Sequence, residues 1–390
     1  LSIDFLDNTP VLILDEIHYM TDRDRGARVE YIASSLRDGT GLIGLSGTIP
    51  NAPQFAHSMQ RCNGRMTRLI GLEKRPIRLR YYCALGGERL TEICHNRSGS
   101  VEQRWKKKAW DYVGRSIAKR PNRLNPNQLR GRILQLVKDL QKEEKLPAMV
   151  VSFSCKKLNQ LGDHLHSIDL VESHNQKSFI HQQFNEVRKR VGEEEWPLFR
   201  SLVDLAKRGI GIHHSQNPKL YLEVLPKLVQ RGLMPLVLAT SSLSTGIDLP
   251  VRSIVILSLV QPGKNGFRPI EPSLLQQIFG RAGRPGQEEE GNAILAMWTK
   301  VDQRVDVPAL LCAPSRPVVG HGMVQPREIL TLKIHHGTAE DLLLSPFSSR
   351  DTSHVAPVLR DVQTLVGSFD GDQSMVRAIR LLEEARRLAG

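Results

Sequence analysis

Short apolar runs that stop abruptly at polar residues recur along this chain, and they restrict its fold more than any other feature. Val11–Leu14 runs into Asp15-Glu16, and Leu42–Leu45 runs into Ser46-Gly47-Thr48. Further strands are expected at Ala148–Phe153, Gly211–His213, Pro235–Thr240, Ser253–Ser258 and Asn292–Trp298. Helices are expected between them at Lys156–His166, Pro218–Arg231 and Pro272–Phe279. Continuous apolar runs of strand length read as strands covered on both faces. Alternation with helices then specifies a parallel, doubly wound α/β sheet, which carries its chemistry beyond the carboxyl ends of the strands. No apolar run approaches 18 residues, so no membrane span is expected.

The segment before the second group of strands has a different texture. Between Arg97 and Lys145 lie 14 Lys/Arg and five Asp/Glu, with Trp105 and Trp110 bracketing Lys106–Lys108. A solvated linker and a nucleic-acid surface both fit this pattern. It ends in an expected helix: Asn125 caps, Pro126 takes the first turn, and Leu129, Ile133, Leu136 and Leu140 form one stripe. After Val305 the pattern turns polar and helical, with pieces at Arg327–His335 and Leu342–Leu344. A closing amphipathic helix is expected after a cap at Asp372, with Met375, Ile379 and Leu382 on one face.

Charge and cysteine usage narrow the function classes. The formal net charge is +13. Such a surplus suits a polyanionic partner, with nucleic acid first, although a basic organellar or ribosome-associated protein carries the same signature. The five cysteines, Cys62, Cys83, Cys94, Cys155 and Cys312, are odd in number and scattered, which argues against a disulfide framework and a structural zinc site. A reducing intracellular compartment is expected. The sequence opens on Leu1 almost against a strand pattern, and so reads as a piece of something longer.

Two clusters carry candidate chemistry. In Asp15-Glu16-Ile17-His18, a strand-end Asp is suited to Mg²⁺ and the adjacent carboxylate to deprotonating an attacking water. Two acids capping the next helix explain the same residues. In Gln277-Ile278-Phe279-Gly280-Arg281-Ala282-Gly283-Arg284, two arginines follow a helix end. They fit either phosphate-stabilising fingers or a plain Gly-rich surface turn.

Taken in order, these segments resemble the superkiller-type, exosome-associated DExH-box RNA helicases of superfamily 2. Asp15–Gly26 resembles motif II, Leu45–Asn51 motif III, and Phe153–Lys157 motif IV. Gly209–His214 resembles the segment before motif V, Ala239–Pro250 motif V and Gln277–Gly286 motif VI. The resemblance runs from about residue 4 to 300 and weakens over 324–347. It implies tandem RecA-like domains with parallel sheets, the first one partial, and a C-terminal winged-helix-like segment. The implied boundaries are 1–84 for the end of the first domain, 85–145 for a basic linker or short insertion, 146–305 for the second domain and 306–390 for the partial winged-helix region.

The resemblance also implies roles. Asp15 would position Mg²⁺ through water and Glu16 would be the general base. His18, Ser46 and Thr48 would couple nucleotide to cleft, with Gly246 and Asp248 near ribose and phosphates. Gln277 would sense the γ-phosphate, and Arg281 and Arg284 would be fingers. Ser154, Lys156, His214 and Ser242 would touch the RNA backbone, without reading sequence. ATP and Mg²⁺ are the implied cofactors. RNA is the implied partner, within a large ribonucleoprotein or RNA-degradation assembly in nucleus or cytoplasm, with a mitochondrial home also open. The implied activity is RNA-stimulated ATP hydrolysis with 3′→5′ unwinding or ribonucleoprotein remodelling.

Departures keep rivals open. Gly47 stands where motif III usually has Ala, Ser241-Ser242 where motif V usually has Glu-Thr, Asp248 where the group usually has Asn, and Pro285 where it usually has Arg. No G-x-x-x-x-G-K-[ST] occurs in the sequence, so weak hydrolysis by the chain as written is expected. A helicase-derived, non-catalytic RNA-binding or assembly scaffold is the alternative, and a related DNA repair helicase is a third reading.

Overall fold

The computed structural model describes residues 10–313, apart from 22–28, 30–39, 48, 64–65, 72–76, 88, 97–102, 172, 192–193, 241–250, 264–265, 285 and 287. The expected winged-helix region and closing helix lie outside the described residues, as do Thr48, Ser242, Gly246 and Asp248. The described residues divide into two compact units, the first reaching Gly71 and the second following it.

In the first unit, β1 (Val11–Leu14) pairs in parallel with β2 (Gly41–Gly44), Val11 opposite Gly41 and Leu14 opposite Gly44. A short 3₁₀ helix over Ile17–Thr21 follows β1, and α1 (Ala52–Asn63) follows β2. Ile17, Met20 and Phe55 form the buried cluster, with Leu14, Leu42 and Ile49 packed against it. The strands stand where expected, but their burial differs from the sequence reading. Val11 and Ile13 are 48% and 59% exposed. Among the described residues β1 has a neighbour on one side alone, whereas a parallel strand normally has one on each side.

The second unit is built on one mixed sheet. Its strands are β3 (Arg78–Ala84), β4 (Thr91–Asn96), β5 (Gln103–Trp105), β6 (Ala148–Ser152), β7 (Ile210–His213), β8 (Leu236–Thr240), β9 (Ser253–Ile256) and β12 (Glu290–Ala296). The spatial order is β5-β4-β3-β12-β9-β6-β8-β7. From β3 to β7 every pairing is parallel, while β4 and β5 add an antiparallel edge. A separate hairpin joins β10 (Val260–Gly263) to β11 (Gly266–Pro269). The helices are α2 (Lys107–Ala118), α3 (Pro126–Lys142), α4 (Cys155–Leu165), α5 (His174–Val191), α6 (Trp196–Ala206), α7 (Lys219–Gln230), α8 (Pro272–Phe279) and α9 (Val307–Cys312). The fold is thus α/β with a large, mostly parallel central sheet. No described helix is long and apolar enough to cross a membrane.

This sheet corrects the sequence reading of residues 78–145. Strand 78–84, expected with the first domain, pairs over seven positions with β12. The expected linker contributes β4, β5, α2 and α3 to the same hydrophobic core, through Ile93, Val113, Ile133 and Leu136. Trp105 and Trp110 meet edge to face at 5.8 Å and pack against that core. They are therefore core residues, not an exposed stacking platform. The α3 expectation is met in detail: Asn125 Oδ1 accepts the Gln128 N–H at 2.8 Å, and Gln128 Oε1 accepts the Asn125 N–H at 3.1 Å. This reciprocal box satisfies two donors that the first turn leaves unpaired.

Candidate active site

At the carboxyl end of β1 the chain turns sharply. Glu16 has φ of 53°, a left-handed conformation rare for a residue with a side chain. The turn drops Ile17 into the core, where its N–H donates to the Leu45 carbonyl at 2.9 Å, and Leu45 N–H donates back to Leu14. Close packing fixes the approach, because a Cβ at Gly44 would stand 2.8 Å from Ile17 Cδ1. The Asp15-Glu16 pair is thereby held beside Ser46, although 28 residues separate His18 from Ser46.

His18 joins the two segments. Its Nδ1 lies 2.9 Å from Ser46 Oγ and 3.2 Å from Glu16 Oε2. Nδ1 is hydrogen-bonded to Ser46 Oγ, the tautomer deciding which of the two donates, and the Glu16 carboxylate stands beside it as a charge partner. Asp15 is exposed, and its Oδ1 accepts the Glu16 N–H at 2.9 Å. Oδ2 has no partner among the described residues. An accessible single carboxylate suits Mg²⁺, which keeps most of its waters and shares its remaining positions with substrate phosphates. Among the described residues no group of three His, Cys, Asp or Glu gathers to cage a metal on protein ligands.

In the second unit the candidate residues stand beyond the strand ends and at the end of α8. Ser154 follows β6 and caps α4, its hydroxyl accepting the Lys157 N–H at 3.3 Å. Ser154 and Lys156 are exposed. His214 follows β7 but is only 2% exposed, and its Nε2 meets Asn159 Oδ1 of α4 at 2.8 Å. Burial lowers the pKa of both His213 and His214, so each stays neutral further into the acid range. The expected contact between the His214 side chain and RNA does not fit this burial. Its ring instead ties the β7 end to the exposed Asn159, a residue the sequence reading missed.

Gln277 lies half-buried on α8, and Arg281 follows the helix's C-cap, Gly280. The Gly-rich turn that carries the arginines is clamped. Gly283 has φ of 92° and donates its N–H to the Val251 carbonyl at 2.9 Å. A Cβ there would meet Ile77 Cγ2 at 2.5 Å, so only glycine fits. Arg284 is held by Glu288. Its Nε reaches Glu288 Oε1 at 2.9 Å and its backbone N–H reaches Oε2 at 2.7 Å. Arg252 Nε stands 3.6 Å from the same carboxylate, which is 4% exposed. Burial pushes the Glu288 carboxyl up, but the Arg284 side-chain and backbone hydrogen bonds outweigh it, and the net shift is downward. The sequence reading also missed Glu288; an acid four residues after the second arginine was the available signal.

Relatives match over most of the chain. Mouse superkiller complex protein 2 is 27% identical over 379 residues, which cover 92% of this chain and 30% of the mouse protein. Human superkiller complex protein 2 is 28% identical over 86% of this chain and 28% of its own length. The Schizosaccharomyces pombe ATP-dependent RNA helicase mtr4 is 28% identical over 76% of this chain and 28% of its own. This chain is homologous to superkiller-type DExH-box RNA helicases. No protein-family model matches it. The chain spans about 30% of the length of the curated relatives it matches.

Proposed function

We propose that this chain is part of an ATP-dependent RNA helicase built on tandem RecA-like domains, acting on RNA within a degradation or processing assembly of the superkiller kind. One observation carries the reading: His18 links the Glu16 carboxylate to the Ser46 hydroxyl, joining the segments that resemble motifs II and III. The relatives' names, which carry RNA helicase and superkiller complex, support the choice of RNA.

On this reading Asp15 holds Mg²⁺ through water, and Glu16 accepts a proton from the water that attacks the γ-phosphate. Bound Mg²⁺–ATP supplies the phosphoanhydride and part of the neutralising charge. His18 fixes the Glu16 carboxylate and passes its position to Ser46. Arg281 and Arg284 stabilise charge on the transferring phosphoryl group, and Gln277 senses it. For Arg284 this requires release from Glu288. Ser154 and Lys156 hold the RNA backbone. Thr48, Ser242, Gly246 and Asp248 take the roles that the resemblance implies.

Glu16→Gln in the full-length protein tests the reading. RNA-stimulated hydrolysis is expected to fall about 100-fold or more, with ATP and RNA binding retained. Undiminished hydrolysis would remove Glu16 as the base. The engagement of Arg284 by Glu288 favours the second reading, a non-catalytic scaffold; full-length wild-type protein that binds RNA but hydrolyses no ATP would establish it.

A further inference from the structure

We infer that the solvent face of α2 is a binding surface for single-stranded RNA, separate from the motif residues. Lys108, Tyr112, Arg115 and the C-cap Lys119 follow one another at helical spacing and are all exposed. They form one stripe about 16 Å long at 1.5 Å per residue. The opposite face is occupied: Val113 and Ile117 are buried, and Trp110 packs on the core. The stripe therefore points away from the unit that holds it.

Three observations favour a polyanion over a merely solvated face. Lys108, Arg115 and Lys119 pair with no carboxylate among the described residues, whereas the neighbouring Lys106 is held by Glu92 at 2.8 Å. The first turn carries no acid and instead has Lys107 and Lys108. Cations there oppose the helix dipole, which favours negative charge at that end, so helix stability does not explain them. Tyr112 is 39% exposed in the middle of the stripe, an aromatic flanked by cations as in surfaces that stack bases and track a backbone. Single-stranded RNA fits this better than a duplex, because an aromatic face needs an unstacked base.

The inference does not rest on ATP turnover, so its test is binding without nucleotide. The full-length protein and its Lys108→Glu/Arg115→Glu/Lys119→Glu variant are titrated with a labelled single-stranded oligoribonucleotide at several salt concentrations. The variant is expected to bind at least tenfold more weakly, and its slope of log K against log salt to fall by about 2, as three phosphate contacts disappear. Tyr112→Ala is expected to weaken binding about fivefold with little change in slope. The same charge reversal at Arg188, Lys189 and Arg190 on α5 is expected to leave binding near wild type. The altered side chains are exposed, so circular dichroism should be unchanged. Unchanged affinity and slope in the triple variant would overturn the surface. Equal losses from the α5 reversal would reduce it to a general charge effect, and equal affinity for poly-glutamate would show that it does not select nucleic acid. None of these outcomes touches the Glu16 hydrolysis test, so the two ideas fail separately.

Discussion

β1 and β6 begin from nearly the same sequence instruction and end in different environments. Both are short apolar runs, VLIL and AMVVS, that deliver polar residues at a carboxyl end. β6 lies between β9 and β8, and Ala148, Met149, Val150 and Val151 are all buried. β1 pairs with β2 alone among the described residues, and Val11 and Ile13 stay exposed. An apolar run thus specifies a strand, while the number of flanking strands decides how much of it leaves water. Among the described residues the candidate hydrolytic pair rests on the cluster of Ile17, Met20 and Phe55, while the candidate RNA contacts rest on a large continuous core.

The strongest way to break this comparison is to truncate matched positions. Met149→Ala, on fully buried β6, is expected to destabilise the second unit by about 2–5 kcal/mol. Ile13→Ala, on exposed β1, should cost under about 1 kcal/mol, since little area leaves contact. Denaturant unfolding followed for each unit separates the two, and equal losses would contradict the contrast.

A second difference concerns charge. Near β1, His18 sits between the Glu16 carboxylate and the Ser46 hydroxyl at partial exposure, while Glu288 is deeply buried and accepts from Arg284. Glu288→Gln is expected to cost the second unit about 1.5–3 kcal/mol near neutrality, the range for hydrogen bonds to charged groups. The pH dependence has a definite sign. A carboxyl whose folded pKa is lowered stabilises above its unfolded value and loses that contribution as pH falls through the folded one. Wild type should therefore lose stability below about pH 4.5 more steeply than the variant. Parallel acid limbs would remove Glu288 as an anchor.

The smallest expected effect is at Gly47. A Cβ there meets nothing within 4 Å, so Gly47→Ala fits. It should stabilise the first unit by about 0.4–1 kcal/mol by restricting the unfolded chain, without reducing any hydrolysis. A marked loss of stability would mean that the motif III turn needs glycine.

Much of the architecture was legible. The Asn125 cap with Pro126 behind it and the Pro272 start of α8 are local signals, and their helices stand as expected. The helix α5 escaped notice because it is largely polar, its buried residues being Ile180, Phe184 and Val187. β3 and β4 escaped because charged side chains interrupt their apolar pattern. Arg80, for example, pairs across strands with Glu290 and Glu92, an arrangement only the register reveals. Two strand ends lying side by side in a parallel sheet bring His18 against Ser46, a contact the sequence reading did not name. The burial of His214 and the capture of Arg284 did not follow, because a motif names a residue type and not the neighbour that holds it.

The most direct test of the linked Glu16–His18–Ser46 set is a double-mutant cycle on RNA-stimulated ATP hydrolysis by the full-length protein, using Ser46→Ala, His18→Asn and the pair. Groups acting as one unit lose activity once, so the double variant should be no slower than the worse single variant. Losses that multiply in the double variant would show that the two side chains act independently, and would contradict the account.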